Sequence, residues 1–389
     1  MKKKIAILGS TGSIGKTLIE IIKKDKKNFE IVFLSAEENY KELLKQAKFF
    51  NVKNIVINNK ASYLKIKKDK FSKKVKIFNN FNKFNKIFKK KIDYVMSSIS
   101  GIEGFKPTIE IIKYTKKIAI ANKEAIICGW DLIEKELKKN KTDFIPVDSE
   151  HFSIWYALKD INKQLIDKIY LTASGGPFLN KPLKLNNIKI KQAIKHPNWK
   201  MGKKISIDSA TMMNKVFEII EAKKIFKIPY KKLSILIHPK SYVHAIIKFK
   251  NGLTKIVVHD TNMKIPIFNS LYSSNNSINS KKLDFKILNN LDLKNINHKR
   301  FTVIKILNKL PEKSSLYETI LVSINDKLVK LFLDNKIKFT DISKKMNNIL
   351  ALNEFKKFKK IKVKKVDDIM KLNKKINDKV KNIVNVYDI

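Results

Sequence analysis

Up to about residue 150, short runs rich in Ile and Val alternate with longer segments of helical period, and this alternation leaves few architectures open. KKIAILG precedes a helical stretch over 13–24. Glu30–Leu34 precedes another over Tyr40–Phe50. NIVI at 54–57, KVKIF at 74–78, YVMSSI at 94–99 and KIAIA at 117–121 continue the series, and Phe144–Val147 ends it. Strands separated by helices are joined by crossovers, so they run parallel with helices on both faces. Residues 1–149 are therefore expected to form a Rossmann-like, doubly wound parallel sheet.

The first strand runs into GSTGSIG, residues 9–15. Glycines at such a turn let the backbone approach a pyrophosphate, and the next helix offers its N-terminal amides and dipole. A bare strand-to-helix corner would look similar. The strand–turn–helix context is what gives the motif weight.

Residues 150–284 read differently, as an α+β domain. IYLTAS at 169–174, LSILIH at 233–238, YVHAIIKF at 242–249 and KIVVH at 255–259 read as strands of a second sheet. The last three follow at short gaps and are expected to be antiparallel neighbours. Residues 285–310 are rich in Asn and Lys and read as a linker. Residues 311–389 have helical period and read as a C-terminal helical bundle domain.

The formal net charge is +48. Nucleic-acid binding is nevertheless not expected. Arg300 is the single arginine, and bidentate recognition of bases and phosphates leans on arginine. The lysines are spread along the whole chain, and Lys, Asn and Ile share A/T-rich codons. Cys128 is the single cysteine, which excludes an internal disulfide and a cysteine zinc cluster. No apolar run approaches the roughly 18 residues of a membrane span. A strand from residue 3 leaves no room for a leader, so a cytoplasmic location is expected.

Several constellations carry chemistry. In IPVDSEH, 145–151, Asp148 and Glu150 flank Ser149; carboxylates that converge at a strand end suit a hard divalent cation, although Asp148 or Ser149 could equally cap a helix. DSATMMNKVFEIIEA, 208–222, reads as one helix opening near Ser209. Asn214, Lys215 and Glu218 fall on one face, with Glu221 a turn further. ASGGPF, 173–178, and HPNWKMGKK, 196–204, read as loops. Ser174, His196, Ser209, Asn214 and Lys215 together offer hydroxyls, an imidazole, an amide and an ammonium, a good set for a phosphate monoester. ANKEAI places Asn122, Lys123 and Glu124 at the carboxyl edge of the first sheet, where open α/β folds bind ligands.

Taken in order, GSTGSIG, ANKE, PVDSEH, SGGPF, HPNWxMG, DSATMMNKxxE and LIHPKSYVH resemble the 1-deoxy-D-xylulose 5-phosphate reductoisomerase family across essentially the whole chain. The resemblance implies an NADPH domain over 1–149, a catalytic and dimerisation domain over 150–284, and a homodimer. It implies isomerisation and NADPH reduction of deoxyxylulose phosphate to methylerythritol phosphate, in the non-mevalonate route to isoprenoids. It assigns Thr11, Gly12, Ser13, Ile14, Asn39, Asn122, Glu124 and Gly202 to the cofactor. Asp148, Glu150 and Glu218 are assigned to Mg²⁺ or Mn²⁺, with Co²⁺ as an alternative. Lys123, Ser149, Glu150, Ser174, His196, Ser209, Asn214, Lys215 and Glu218 are assigned to the substrate, and Trp199 and Met201 to a closing loop. Lys123 and Glu150 would be catalytic, the first stabilising oxyanion charge, the second moving a proton directly or through water.

The chain departs from the family after its second strand, where Ser35-Ala36-Glu37-Glu38-Asn39 replaces the usual Gly-Lys-Asn. An acidic residue there favours a free ribose 2′-hydroxyl, hence NADH. The alternative is that Glu37 and Glu38 face solvent and a lysine such as Lys41 meets the 2′-phosphate. Val216 and Lys264 also stand where a smaller residue and an arginine are usual. Two rivals remain at this level. A semialdehyde-type dehydrogenase needs a cysteine nucleophile, and Cys128 sits in an apolar stretch. A basic binding protein could keep the fold without the activity.

Overall fold

The computed structural model describes residues 1–69, 73–182, 187–272 and 276–386. The chain divides into two compact units. Unit 1 comprises Met1–Ala125, Leu132–Asp148 and Met263–Ile278; unit 2 comprises Ile126–Asp131, Ser149–Asn262 and the remainder from Asn279.

Unit 1 is built on β1 (Lys3–Leu8), β2 (Phe29–Ala36), β3 (Asn54–Ile57), β4 (Lys76–Phe78), β5 (Ile92–Ser97), β6 (Thr115–Ile120) and β7 (Asp143–Pro146). They form one parallel sheet in the order β4-β3-β2-β1-β5-β6-β7, with Ile5 opposite both Ile31 of β2 and Tyr94 of β5. The order reverses at β1, so the crevice beyond the ends of β1 and β5 is the switch point where such sheets take ligands. The expected doubly wound sheet is present. The helix Ser13–Lys24 turns Gly15, Leu18, Ile19 and Ile22 inward, a spacing of three to four residues, and closes on Lys23 and Lys24 at its negative end. Its apolar face meets Ile5, Ile7, Ile31 and Leu34 of the sheet. The helix Lys264–Leu271, far along the chain, adds Ile267, Phe268 and Leu271 to this core. Polar bonds hold it there: Ser270 with Tyr94 at 2.8 Å, and the Tyr272 hydroxyl donating to Asp25 at 2.8 Å.

Unit 2 contains β8 (Ile166–Ala173), β9 (Leu233–Ile237), β10 (Val243–Phe249), β11 (Thr254–Val258) and the short β12 (Lys294–Asn295), in the order β11-β10-β8-β9-β12. The expected second sheet is there, but β9 and β10 are not neighbours. β8 lies between them, parallel to β9 and antiparallel to β10. The long connection from β8 to β9 carries the helices Lys203–Thr211 and Met213–Phe226 among others and returns the chain parallel to β8, as a crossover does. That leaves the other edge of β8 to β10. Ile169, Leu171, Ala245, Ile247 and Phe249 share one face and pack against Ile154 and Ala157 of the helix Ser149–Ala157, and against Ile219, Ala222 and Phe226 of the helix Met213–Phe226.

The stretch 208–222 is not one helix opening near Ser209. The helix Lys203–Thr211 ends, and Met213–Phe226 begins, at Met212, whose φ of 68° is left-handed. A methionine adopts this conformation only against a steric penalty of about 1–2 kcal/mol. Burial of Met212 and Met213 and a hydrogen bond from the Met213 N–H to Thr211 Oγ1 (3.3 Å) offset it. The C-terminal part is helical as expected. Tyr317–Leu333 is buried along most of its length and packs against Phe339–Ala351 and Val366–Val386.

Candidate active site

In unit 1 the turn after β1 is tied to β2. The Gly9 N–H donates to Ser35 Oγ (3.0 Å) and the Ser10 N–H to the Ser35 carbonyl (2.8 Å). Gly9 has φ +80°, and a Cβ on Gly15 would lie 2.4 Å from the Gly9 carbonyl oxygen, so both positions demand glycine. Gly12 and Ser13 are exposed. The helix starting at Ser13 has no side-chain cap and no acid in its first turn. Its first amides and positive dipole end therefore suit a phosphate anion, and this donor set fits the pyrophosphate of a dinucleotide.

Other sequence-assigned residues have structural tasks at the same sheet edge. Asn39 caps Tyr40–Phe50 through the Glu42 N–H (3.2 Å). Asn122 is buried. It caps Lys123–Lys139 through the Ala125 N–H (2.7 Å) and donates to the carbonyls of Ile99 and Gly101, binding the ends of β6 and β5 together. Lys123 opens that helix and pairs with Asp148 at 3.2 Å. Glu124 is buried beside them. The Glu37 carboxylate accepts from the Asn58 side-chain amide, at 3.0 and 3.3 Å, just past the end of β3.

In unit 2 the centre is Lys215. Its ammonium is almost fully buried and lies 2.7 Å from Glu150 and 2.5 Å from Glu218. Burial alone would push its pKa down, but the two carboxylates outweigh burial and raise it, so the ammonium form is fixed. Asn214 donates to Glu218 (2.5 Å), and the Ser149 hydroxyl donates to Glu150. Two carboxylates from two different helices thus already converge on one cation. All their donors are oxygen, the choice of a hard divalent ion, so this part of the assigned set fits Mg²⁺ or Mn²⁺.

Beside it, Ser174 and His196 meet at 2.9 Å. His196 Nδ1 accepts from the backbone N–H groups of Asn198 (3.1 Å) and Trp199 (3.0 Å), so the proton of the neutral ring is on Nε2 and donates to Ser174. Ser174 Oγ also accepts from the Gly176 N–H (3.1 Å), which leaves the serine O–H to donate elsewhere. Burial, helped by the Lys215 charge, lowers the His196 pKa to about 4. Gly175 and Gly176 have positive φ, and a Cβ on Gly176 would lie 3.1 Å from the Ser209 carbonyl, so the SGGP turn lies directly on Ser209. Ser149, Glu150, Ser174, His196, Ser209, Asn214, Lys215 and Glu218 are therefore gathered in unit 2. Gly202 caps Lys203–Thr211 in the same unit. The loop of Trp199 is docked: Asn198 donates to the Pro239 carbonyl (2.6 Å) and Ser241 (2.8 Å), and Trp199 meets His244 edge-on.

Of the layer beneath, sequence reasoning singled out only Glu221. His151 Nε2 lies 2.9 Å from the Glu218 carbonyl and its Nδ1 3.5 Å from Glu221, all deeply buried. The His244 and His259 rings stack at 3.6 Å. His151 and Glu221 were visible as polar residues on otherwise apolar helices, the one local signal for them; nothing local marks the His244–His259 pair.

Three family models match the chain in order. The 1-deoxy-D-xylulose 5-phosphate reductoisomerase model matches residues 5–129, that enzyme's C-terminal domain matches 144–226, and the DXP reductoisomerase C-terminal domain matches 259–379. A 1-deoxy-D-xylulose 5-phosphate reductoisomerase of Pelagibacter ubique (strain HTCC1062) is 61% identical over 385 residues, covering 98% of this chain and 99% of its own. One from Clostridium kluyveri is 39% identical over 346 residues, covering 88% of this chain and 90% of its own. Among solved structures, the Zymomonas mobilis enzyme in complex with NADPH is similar with a TM-score of 0.88 at 28% identity, over 99% of each chain. A DOX-P reductoisomerase in complex with NADPH, fosmidomycin and magnesium is similar with a TM-score of 0.90 at 29% identity, again over 99% of each chain.

Proposed function

Because the chain belongs to the 1-deoxy-D-xylulose 5-phosphate reductoisomerase family, we propose the following division of work among its own residues. The protein is an oxidoreductase that isomerises 1-deoxy-D-xylulose 5-phosphate and reduces it to 2-C-methyl-D-erythritol 4-phosphate, with NADPH and a divalent metal ion. NADPH supplies the hydride, and the metal ion supplies Lewis-acid polarisation of the substrate carbonyl.

The turn Thr11–Ile14 and the amides that follow it hold the cofactor pyrophosphate, with Asn39, Asn122, Glu124 and Gly202 completing the cofactor site. Asp148, Glu150 and Glu218 hold the metal ion. Lys215 pairs with Glu150 and Glu218 and lies beside the site where the phosphate enters. Ser174 donates its remaining O–H to that phosphate, with Ser209, Asn214 and neutral His196 around it. Lys123 stabilises oxyanion charge as the carbon skeleton rearranges. Glu150 orients Ser149 and moves a proton directly or through water. The loop of Trp199 and Met201 excludes water from the reacting carbons. The observation that carries this reading is the convergence of Glu150 and Glu218 on buried Lys215 beside the Ser174–His196 pair.

The same proposal makes the protein a cytoplasmic homodimer. β11 is an edge strand, and Ile256 on it and Leu253 before it are 47% and 66% exposed, an apolar edge suited to a second copy. No helix among the described residues is long and apolar enough to cross a membrane.

NADPH oxidation with deoxyxylulose phosphate tests the reading. Turnover is expected with Mg²⁺ or Mn²⁺, to vanish after chelation, and to fall by about 10³-fold or more in Glu218→Gln. Turnover that survives chelation, or a fully active Glu218→Gln, would refute the metal assignment. An NADH arm reads Glu38: a strong NADPH preference means that solvent, not the ribose, takes that carboxylate.

A further inference from the structure

Ser209 lies on the helix Lys203–Thr211, whereas Asn214, Lys215 and Glu218 lie on Met213–Phe226. The two arms meet at the single left-handed residue Met212, which bends the chain between them. One other helix, Tyr317–Leu333, binds both arms. Near its start, Glu318 pairs with Lys224 at 3.2 Å, both deeply buried. Glu318 is itself held by the N–H (3.0 Å) and hydroxyl (2.8 Å) of Ser315, and Lys224 also donates to Ser314 (3.1 Å). Two turns further on, Asn325 donates to Asp208 at 2.8 Å, and each is 1% exposed. Its neighbour Asp326 shares Lys204 with Asp208, both at 3.0 Å.

We propose that Tyr317–Leu333 is a splint that sets the angle between the two substrate helices, with Glu318 and Asn325 as positioning residues for the phosphate site. The inference rests on the functional reading above for the roles of Ser209 and Lys215. Seven residues of helix separate the anchors by about 10 Å, a distance that backbone hydrogen bonds hold rigid. Each anchor resists breaking, because a buried polar group that loses a hydrogen-bond partner carries a desolvation cost. One clamp acts on each arm, so the joint at Met212 cannot open without breaking one of them. The phosphate site spans the joint. Glu218, by contrast, lies on one arm only, and Glu150 lies on the separate helix Ser149–Ala157.

The test uses the full-length enzyme and inorganic phosphate as a competitive probe. Asn325→Ala is expected to raise the phosphate Ki and the sugar-phosphate KM about tenfold or more, with the Mg²⁺ activation constant within about twofold. Asp208→Asn, which keeps an oxygen acceptor for Asn325, is expected to stay near wild type. If Asn325→Ala does not fold, Asn325→Ser is read for the same constants. Unchanged phosphate Ki, or equal losses for phosphate and Mg²⁺, would overturn the splint. A wild-type enzyme without metal-dependent turnover would bring down the functional reading instead, so the two failures are distinct.

Discussion

The His196 imidazole accepts two backbone N–H bonds at Nδ1 and donates to Ser174 from Nε2. Protonating Nδ1 would break both of the accepted bonds and place a second cation near Lys215. Burial, first, and the Lys215 charge, second, hold its pKa near 4, below the ordinary 6.5. The folded pKa is the lower one, so the unfolded chain binds this proton more readily. The group's contribution to stability is therefore complete above about pH 6.5 and is lost as pH falls towards 4. NMR titration of the His196 ring in the free protein should show no inflection near 6.5; one there would refute the neutral, doubly accepting ring. Bound phosphate should move the inflection upward, because an anion favours the imidazolium. Chemistry at this scale was partly legible. Ser174, His196 and Lys215 stand out as polar residues in special local contexts, but the tautomer depends on the fold of 196–199 alone.

At the scale of elements, the cofactor turn carries the clearest division of labour among glycines. A Cβ at Gly15 would meet backbone at 2.4 and 2.5 Å, whereas a Cβ at Gly12 meets nothing nearer than 3.4 Å. Gly15→Ala should therefore lower thermal stability, by about 1–3 kcal/mol, and weaken NADPH binding together. Gly12→Ala should leave the melting temperature alone while still weakening NADPH, because its methyl would project at the exposed start of the helix. Calorimetry beside a fluorescence titration of NADPH separates the two; equal melting temperatures for both variants would contradict the packing argument. The helices Ser13–Lys24 and Tyr40–Phe50 were readable to the residue, since period and flanking strands agree. The break at Met212 was not. Nothing in MMN announces a left-handed residue, and burial of the two methionines, a tertiary effect, decides it.

At the scale of the whole molecule, the exposed apolar edge at β11 leads to a prediction about assembly. Ile256→Lys should convert a homodimer into monomer by light scattering, while the melting temperature of the protomer changes little. A dimer that survives would place the interface elsewhere. The net charge of +48 does not oppose such pairing strongly, since the lysines are dispersed and screened at physiological salt. What the sequence by itself determined is the parallel sheet, the glycine turn and the residue types of the site. Alternating strands and helices, and glycine's freedom at positive φ, are properties of neighbours along the chain. Only the tertiary structure decided that β8 separates β9 from β10, that Glu150 and Glu218 share Lys215, and that Asn325 reaches Asp208. These pairings join residues that are distant along the chain, and they form because a buried polar group must find a partner wherever the packed core places one.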